Sequence, residues 1–265
     1  LNIPSESKHL FNLIKDGLAR IKSADSNIDE VVVVGGTVID LLLGLNPKDI
    51  DIRYSYKVNG ITSNKCHCEH IRRIAEKEFD KEVLEHGLEF ENVNEHEPRL
   101  SFKENVLGFF TYPIDYICLF LIEPNGNIWT NRDAFKCFQD KTFEIRLEGW
   151  LIWLEFRDIN NYYRIFSDSM TRGLSYVYKR KLKIGQKFGL ALNYFPFVLS
   201  KLSSYPEESI KYSKLFKSKI GDLDKLSLIL EQNNILNREE IVKAMLQVLN
   251  KKVDSNVKIQ IPGKF

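Results

Sequence analysis

The chain has 265 residues, of which 43% are hydrophobic and 28% are charged, a composition typical of a globular protein that can bury a large core. No apolar run approaches the ~20 residues that a membrane-spanning helix needs, and four cysteines are too few for a disulfide scaffold, so we expect a cytoplasmic protein without a membrane partner. The formal net charge is +2, but residues 1–150 carry −7 and residues 151–265 carry +9.

The first part of the chain alternates helices and strands. Leucine and isoleucine recur at helical spacing over residues 5–24, which predicts an amphipathic helix. Four consecutive valines, Val31–Val34, predict a buried strand, because a surface covered on both faces suits stiff β-branched side chains. The strand stops at Gly35 and Gly36, and we expect Thr37 to cap a short helix that ends at Gly44.

A second strand is predicted over Asp49–Tyr54, and the remaining elements follow it. We expect an α+β head with a small mixed sheet and flanking helices over residues 1–148, and an all-helical, neck-like domain over residues 149–265. The further elements predicted in the head are a helix over residues 64–79 and strands over Arg99–Lys103, Val106–Phe110 and Pro113–Ile122. The predicted neck helices are Gly149–Phe166, Ser169–Leu182, Gly185–Leu202, Glu207–Phe216, Leu223–Gln232 and Arg238–Leu249.

Asp49 and Asp51 are the most informative pair in the sequence. The period of two in a strand points both carboxylates to one face, while Ile50 and Ile52 point to the other. Two neighbouring carboxylates repel each other unless a cation lies between them, and oxygen ligands on a rigid strand suit Mg²⁺. Together with a glycine pair whose N–H groups could cradle phosphate, this pattern predicts phosphoryl or nucleotidyl transfer.

The segment GGTVIDLLLGLNPKDIDI resembles a signature of the polymerase β nucleotidyltransferase superfamily. In its class II branch, which contains bacterial poly(A) polymerases and CCA-adding tRNA nucleotidyltransferases, the pattern reads GG-x-V-R-D-x-LLG-(x)-PKD-x-D. The matching residues are Gly35, Gly36, Val38, Asp40, Leu42, Leu43, Gly44, Pro47, Lys48, Asp49 and Asp51.

The resemblance implies roles for several residues of the head. It implies that Asp49 and Asp51 are catalytic and hold Mg²⁺ or Mn²⁺. The residues expected to contact the nucleotide, with ATP as the expected NTP, are Gly35, Gly36, Thr37, Asp40 and Lys48. In PIDYICLFLI, Asp115 falls on the aspartate of a second motif of the family. A lone carboxylate on an apolar strand needs a cation or hydrogen-bond donors as partners. We therefore expect Asp115 to be catalytic. The alternative is a strand-end aspartate that faces water.

The chain departs from the family pattern where arginines are expected. Ile39 replaces the arginine of the first motif, and Pro113 and Ile114 replace both arginines of the second. Isoleucine cannot make the bidentate phosphate contacts of arginine. The replacements imply altered nucleotide binding, a different acceptor or a decayed site, and the candidates to supply the missing charge are Arg53, Arg99 and Arg132.

Two further clusters have competing interpretations. The basic run Lys179, Arg180, Lys181 and Lys183 is a candidate RNA-binding face, because a basic domain suits a polyanion, or it is simply a solvated helix surface. The aromatic residues of the same domain could stack on bases but are expected mostly in its core: Tyr162, Tyr163, Tyr176, Tyr178, Tyr194 and Phe195. The segment Cys66–His70 has zinc-binding residue types but lacks a second ligand pair, so a helix start is expected.

Taken together, these features predict a metal-dependent nucleotidyltransferase. It would transfer a nucleoside monophosphate from an NTP to an acceptor hydroxyl, expected to be an RNA 3′ end, and release pyrophosphate. A nucleotidyltransferase that modifies a protein or a small molecule is one alternative. A non-catalytic nucleotide- or RNA-binding relative that has lost the motif arginines is the other.

Overall fold

The computed structural model of the protein describes residues 1–62, 67–93, 101–107, 118–146 and 159–251. The chain divides into two compact units, Leu1–Trp150 and Leu151–Phe265. The elements of the first unit are α1 Ser5–Ala24, β1 Ile28–Val34, α2 Gly36–Leu42, β2 Asp49–Val58, β3 Ile61–Thr62, α3 Cys68–Glu78, α4 Lys81–Leu84, β4 Gly87–Asn92, α5 Phe102–Asn105, β5 Phe120–Ile122, β6 Ile128–Thr130, α6 Arg132–Gln139 and β7 Thr142–Phe143. Those of the second unit are α7 Ile159–Arg180, β8 Lys183–Ile184, α8 Gln186–Leu202, α9 Pro206–Lys219, α10 Leu223–Gln232 and α11 Arg238–Leu249.

A mixed sheet forms the centre of the first unit. Its strand order is β3-β2-β1-β5-β6, and β4 pairs with β2 as well. The pairs β1–β2, β1–β5, β5–β6 and β2–β3 are antiparallel, whereas β2–β4 is parallel. The α+β class and the mixed sheet expected from the sequence are therefore confirmed.

Strand β1 lies in the middle of the sheet and is buried on both faces. The four valines Val31–Val34 are at most 2% exposed. Val32 and Val34 pack against Val93 and Leu121 in a cluster that also contains Val106. Helix α1 buries an apolar stripe of its own. This burial fixes the sheet position from which the next loop, Gly35–Gly36, leaves.

Two strand predictions in the first unit are wrong over the residues that the structure describes. Where a strand was expected over Arg99–Lys103, Ser101 begins α5: its hydroxyl accepts from the Glu104 N–H, and the Glu104 carboxylate accepts from the Ser101 N–H. This capping box stabilises a helix start, and the chain stays helical through Val106 and Leu107 where a second strand was expected. Of the strand expected over Pro113–Ile122, the structure describes Phe120–Ile122 as β5, and residues 113–117 lie outside the described residues.

The helices of the second unit follow the predicted order with one correction. The boundary expected between Phe166 and Ser169 does not exist, because α7 runs without interruption from Ile159 to Arg180. The hydroxyl of Ser169 donates to the Ile165 carbonyl at 2.8 Å, so this serine is accommodated inside the helix rather than ending it. None of the helices in the described part of the chain is both long and apolar enough to cross a membrane.

Candidate active site

The end of β1 and the start of β2 meet at Gly35. In the β1–β2 ladder Val34 pairs with Asp51, so Gly35 follows directly beside the Asp51 carboxylate. Gly35 has a φ of 72°, and a Cβ at this position would lie 3.5 Å from Asp51 Oδ2. Glycine is therefore required by the left-handed backbone, and its missing side chain leaves the Asp51 carboxylate open on this side.

The sequence suggested that both glycines of the pair present bare N–H groups. The structure does not bear this out for Gly35. The Gly35 N–H donates to the Phe120 carbonyl at 3.2 Å and so ties the turn to β5. Gly35, rather than Thr37, is the N-cap of α2, so the expected capping role of Thr37 is wrong. The buried Thr37 hydroxyl instead donates to the Asp49 carbonyl at 2.9 Å, which fixes the backbone at the start of β2.

Strand β2 presents its two aspartates as the period of two predicts. Ile50 and Ile52 are fully buried, whereas Asp49 and Asp51 are partly exposed on the opposite face. The parallel strand β4 adds a third carboxylate to this face, because Glu89 pairs with Asp51 in the ladder and its side chain hydrogen-bonds to Asp51. Sequence reasoning missed Glu89, and we call the three side chains the carboxylate row.

Burial and like charges act together on Asp51. Burial is the main cause that raises the pKa of this carboxyl to about 6, and the charges of Asp49 and Glu89 act in the same direction. The Arg53 guanidinium, two residues along the strand, opposes them but does not offset them. The site therefore has an excess of negative charge that a cation would relieve.

The chemistry of the carboxylate row fits a magnesium ion. Its donors are all carboxylate oxygens, and Gly35, which has no side chain, lies directly beside one of them. Among the residues that the structure describes, no group of three or more histidine, cysteine, aspartate or glutamate side chains is already arranged to hold a metal ion. Mg²⁺ usually takes one or two carboxylates from a protein and completes its shell with water and substrate phosphates.

Arg53 continues the same face of β2 beyond the aspartates. Its Nη2 atom lies 2.8 Å from the Glu91 carboxylate of β4, and most of the side chain is buried. It is the arginine of β2 that the sequence named as a possible substitute for the missing motif arginines. Arg132 begins α6, and Arg99 lies outside the described residues.

The structure also describes the other residues predicted to contact the nucleotide, Lys48 and Asp40. Lys48 is exposed immediately before Asp49, and Asp40 is partly buried on α2 with its carbonyl accepting from the Leu45 N–H at 2.8 Å. Ile39, which replaces the family arginine, is completely buried. Asp115, together with Pro113 and Ile114, lies outside the described residues.

The cysteine- and histidine-containing segment is built as a helix start. The Cys68 sulfur lies 3.3 Å from the Tyr54 hydroxyl, the His67 ring stacks on Tyr56, and His70 Nε2 lies 2.8 Å from an Asp25 carboxylate oxygen. Tyr56 also meets the His70 ring edge-on, with 5.9 Å between the ring centres, so the two histidines share a partner. Cys66 lies outside the described residues.

In the second unit, the predicted basic run is at the end of α7. Lys179, Lys181 and Lys183 are exposed, whereas Arg180 is partly buried with its guanidinium 4.1 Å from the centre of the Tyr176 ring. Of the aromatic residues expected in the core, Phe195 is buried and the tyrosines 162, 163 and 176 are partly buried. Tyr178 and Tyr194 are exposed, so that expectation is wrong for these two.

No protein-family model matches the sequence, and the search of curated proteins finds no match. Solved structures do match. The Thermotoga maritima CCA-adding enzyme complexed with tRNA aligns with 87% of this chain and 52% of its own, at 13% identity and a TM-score of 0.51. A CCA-adding enzyme in complex with CTP aligns over the same shares at 14% identity and a TM-score of 0.52.

A third match is a tRNA-processing enzyme in an apo form, with 15% identity and a TM-score of 0.51, and it covers 90% of this chain and 59% of its own. The chain thus spans little more than half the length of the structures it matches. The likeness extends over both compact units. The fold of this chain is that of the CCA-adding enzymes, as the class II motif in its first unit predicted.

Proposed function

We propose that this protein is a metal-dependent nucleotidyltransferase whose acceptor is the 3′ end of an RNA. The observation that carries the proposal is the carboxylate row: Asp49 and Asp51 lie on one face of β2, Glu89 of the neighbouring strand β4 lies beside Asp51, and burial together with these like charges raises the pKa of Asp51. Structural relatives in complex with CTP, and with tRNA, add support for a nucleotide and an RNA as partners.

The residues of the first unit divide the work of such a site. Asp49 and Asp51 would hold Mg²⁺, which would supply charge neutralisation for the triphosphate and activation of the acceptor hydroxyl. Thr37 fixes the backbone of Asp49, and Gly35 leaves room beside Asp51. In the reaction the acceptor oxygen forms a bond to the α-phosphorus, the bond to the β-phosphate breaks, and pyrophosphate and a proton are released.

A transfer assay tests this proposal. The protein is incubated with MgCl₂, total RNA and each α-labelled NTP in turn, and the products are separated on a denaturing gel. We expect labelled RNA, with ATP as the best donor, and no labelled RNA after chelation of the metal. The variant Asp49→Asn/Asp51→Asn should transfer nothing, whereas the matched control Asp16→Asn, an exposed carboxylate of α1, should keep full activity.

The other outcomes of the same assay identify the alternatives. Label on the protein itself would indicate a protein acceptor. Nucleotide binding without any transfer would indicate a non-catalytic relative, an alternative motivated by the loss of the motif arginines, one of which is replaced by the buried Ile39. Either outcome would overturn the proposal that the acceptor is the 3′ end of an RNA.

A further inference from the structure

Helix α8 combines a buried face with an unusual exposed one. Its buried residues form the expected apolar stripe: Phe188, Leu192, Phe195, Val198, Leu199 and Leu202. On the opposite side, Leu190 is 56% exposed, Tyr194 is 67% exposed and Phe197 is 59% exposed. The spacing of i, i+4 and i+7 places these three side chains in one row, which we call the α8 stripe.

The stripe ends at a cation. Lys201, one turn after Phe197, is exposed and holds its Nζ atom 5.5 Å from the centre of the Phe197 ring. An ammonium group beside an exposed ring offers one phosphate contact next to one stacking surface.

The sequence around the stripe is depleted of negative charge. The 38 residues from Ser169 to Pro206 contain no aspartate or glutamate, although the chain as a whole has 36. The same segment contains seven basic residues: Arg172, Lys179, Arg180, Lys181, Lys183, Lys187 and Lys201. Within this segment the α8 stripe combines exposed rings with Lys201 and no carboxylate on α8 itself, which is complementary to a single strand of nucleic acid, whose bases stack and whose phosphates are anionic.

The size of the stripe argues against a second copy of the chain as its occupant. Three side chains of this type expose roughly 350 Å² in total, since each large apolar side chain offers about 150–250 Å² when fully exposed. A stable protein interface needs roughly 800 Å² from each partner.

We infer that the α8 stripe is a stacking platform for single-stranded RNA, with Tyr194 and Phe197 contacting bases and Lys201 contacting the backbone. That the nucleic acid is RNA rests on the proposed function. That a single-stranded nucleic acid binds to α8 is inferred from the exposed side chains of this helix alone. This surface adds a row of exposed apolar side chains to the basic run predicted from the sequence, beside which Tyr178 is exposed as well.

Fluorescence anisotropy with a short labelled single-stranded RNA tests the inference, using the full chain without NTP or metal. We expect Tyr194→Ala and Phe197→Ala each to weaken binding about tenfold, which corresponds to one lost stacking contact. Lys201→Ala should lower the salt dependence of log K by about 0.7, the value for one phosphate contact of a single strand. A DNA strand of the same sequence, tested in parallel, should bind less tightly if the acceptor is RNA.

Matched controls separate stacking from general damage. Tyr194→Trp keeps an aromatic surface and should keep the affinity, and Leu246→Ala removes an apolar side chain that is 46% exposed on α11 and should change nothing. For a variant that does not fold, crosslinking of a 4-thiouridine strand to the unsubstituted protein should give adducts on the peptide that contains Tyr194 and Phe197.

The inference is overturned if both ring variants bind RNA as the unsubstituted protein does, or if the adducts lie only elsewhere. It is also overturned if sedimentation shows that the unsubstituted protein is a dimer that Tyr194→Ala converts to a monomer, since the stripe would then be a protein interface. Because the assay contains no NTP, a protein that binds RNA through the stripe but transfers nothing would contradict the proposed function alone.

Discussion

Asp51 in the first unit and Asp168 in the second are both aspartates whose pKa is raised to about 6, with burial as the main cause. Their neighbours differ in sign. Asp51 lies against Asp49 and Glu89, with one arginine to oppose them. A raised pKa therefore occurs in two different environments, and in that of Asp51 negative charge predominates.

Asp168 has its compensation built into its own helix. Arg164, one turn earlier on α7, donates from Nη1 to Asp168 at 2.9 Å and from Nε to Glu208 of α9, and the positive charge of Arg172 also acts on Asp168. Two arginines of the second unit thus act on Asp168, although its Oδ1 atom has no hydrogen-bond partner among the described residues and its pKa stays raised. The first unit leaves an excess of negative charge that a metal ion from solution can balance, which is what distinguishes a candidate active site from a structural ion pair.

The largest effect is expected when the comparison between Asp51 and Asp168 is tested by measuring nucleotidyl transfer. Asp51→Asn should lower nucleotidyl transfer by at least about a thousandfold, because it removes a carboxylate from the metal and with it the charge stabilisation of the transferring phosphate. Asp168→Asn should keep activity of the same order as the unsubstituted protein, since its charge serves α7. The measurement is the initial rate of label transfer to RNA at saturating NTP. Equal losses in the two variants would show that the signs of the neighbouring charges do not separate the two sites.

Metal binding gives the next largest effect and does not depend on catalysis. Millimolar MgCl₂ should raise the thermal midpoint by about 5 °C, because a ligand at one hundred times its Kd stabilises the native state by about 2.7 kcal/mol. The shift should persist in Asp168→Asn and disappear in Asp51→Asn. Without metal, Asp51→Asn should be at least as stable as the unsubstituted protein, because it relieves repulsion within the carboxylate row. A shift of equal size in all three proteins would mean that the metal binds elsewhere.

The part of the site that could be predicted from the sequence is the part that is local. Asp49 and Asp51 alternate with Ile50 and Ile52, and a period of two fixes their faces without knowledge of any other strand. Glu89 could not be placed in this way, because it reaches Asp51 only through the parallel pairing of β2 with β4. The alternation in GLEFEN was a signal for the strand itself, but not for its partner.

The distinction between local signals and long-range contacts also explains the errors in the fold prediction. In SFKEN the short-range signal was present, because Ser101 and Glu104 have the capping-box spacing that excludes the expected strand. The turn at Asn59–Gly60, where both residues have positive φ, carries the hairpin signal for β2 and β3. Ser167 and Ser169 instead looked like a break in the helical pattern, but both are buried within α7, and the Ser169 hydroxyl donates to the Ile165 carbonyl.

Asp25 extends the comparison to a carboxylate with the opposite shift. Burial disfavours its charge, but hydrogen bonds from Asn27, His70 and Tyr56 more than compensate and lower its pKa to about 2. A lowered pKa contributes stability that is present above the unfolded value near 4 and is lost as the pH falls towards 2, about 2 kcal/mol in all. For Asp168 the sign is reversed: its raised pKa means that its contribution improves as the pH falls from 6 towards 4.

Urea denaturation at a series of pH values measures both signs. Asp25→Asn should lower the free energy of unfolding by about 2 kcal/mol at pH 5–7, and the difference from the unsubstituted protein should vanish near pH 2. The matched control is Asp29→Asn, which removes an exposed partner of Lys57 and should change stability by less than about 1 kcal/mol. A pH-independent loss in Asp25→Asn would mean that packing, rather than the charge of Asp25, is responsible.

The smallest expected effect tests whether the second unit also satisfies its neutral polar groups internally. Pro196 lies inside α8 and has no N–H, so the Leu192 carbonyl loses its helical donor. The side chain of Asn237, just before α11, donates to that carbonyl at 3.1 Å instead. Asn237→Ala should therefore lower the free energy of unfolding by about 1 kcal/mol, the cost of leaving a buried carbonyl unpaired.

A double-mutant cycle separates this hydrogen bond from simple packing. Pro196→Ala restores a backbone N–H that can donate to Leu192, so Asn237→Ala should cost much less in that background, and the coupling between the two positions should be about 1 kcal/mol by urea denaturation. Additive losses would show that Asn237 acts through packing alone. Coupling would extend the contrast with the carboxylate row, because a side chain of the second unit would then pair the buried Leu192 carbonyl.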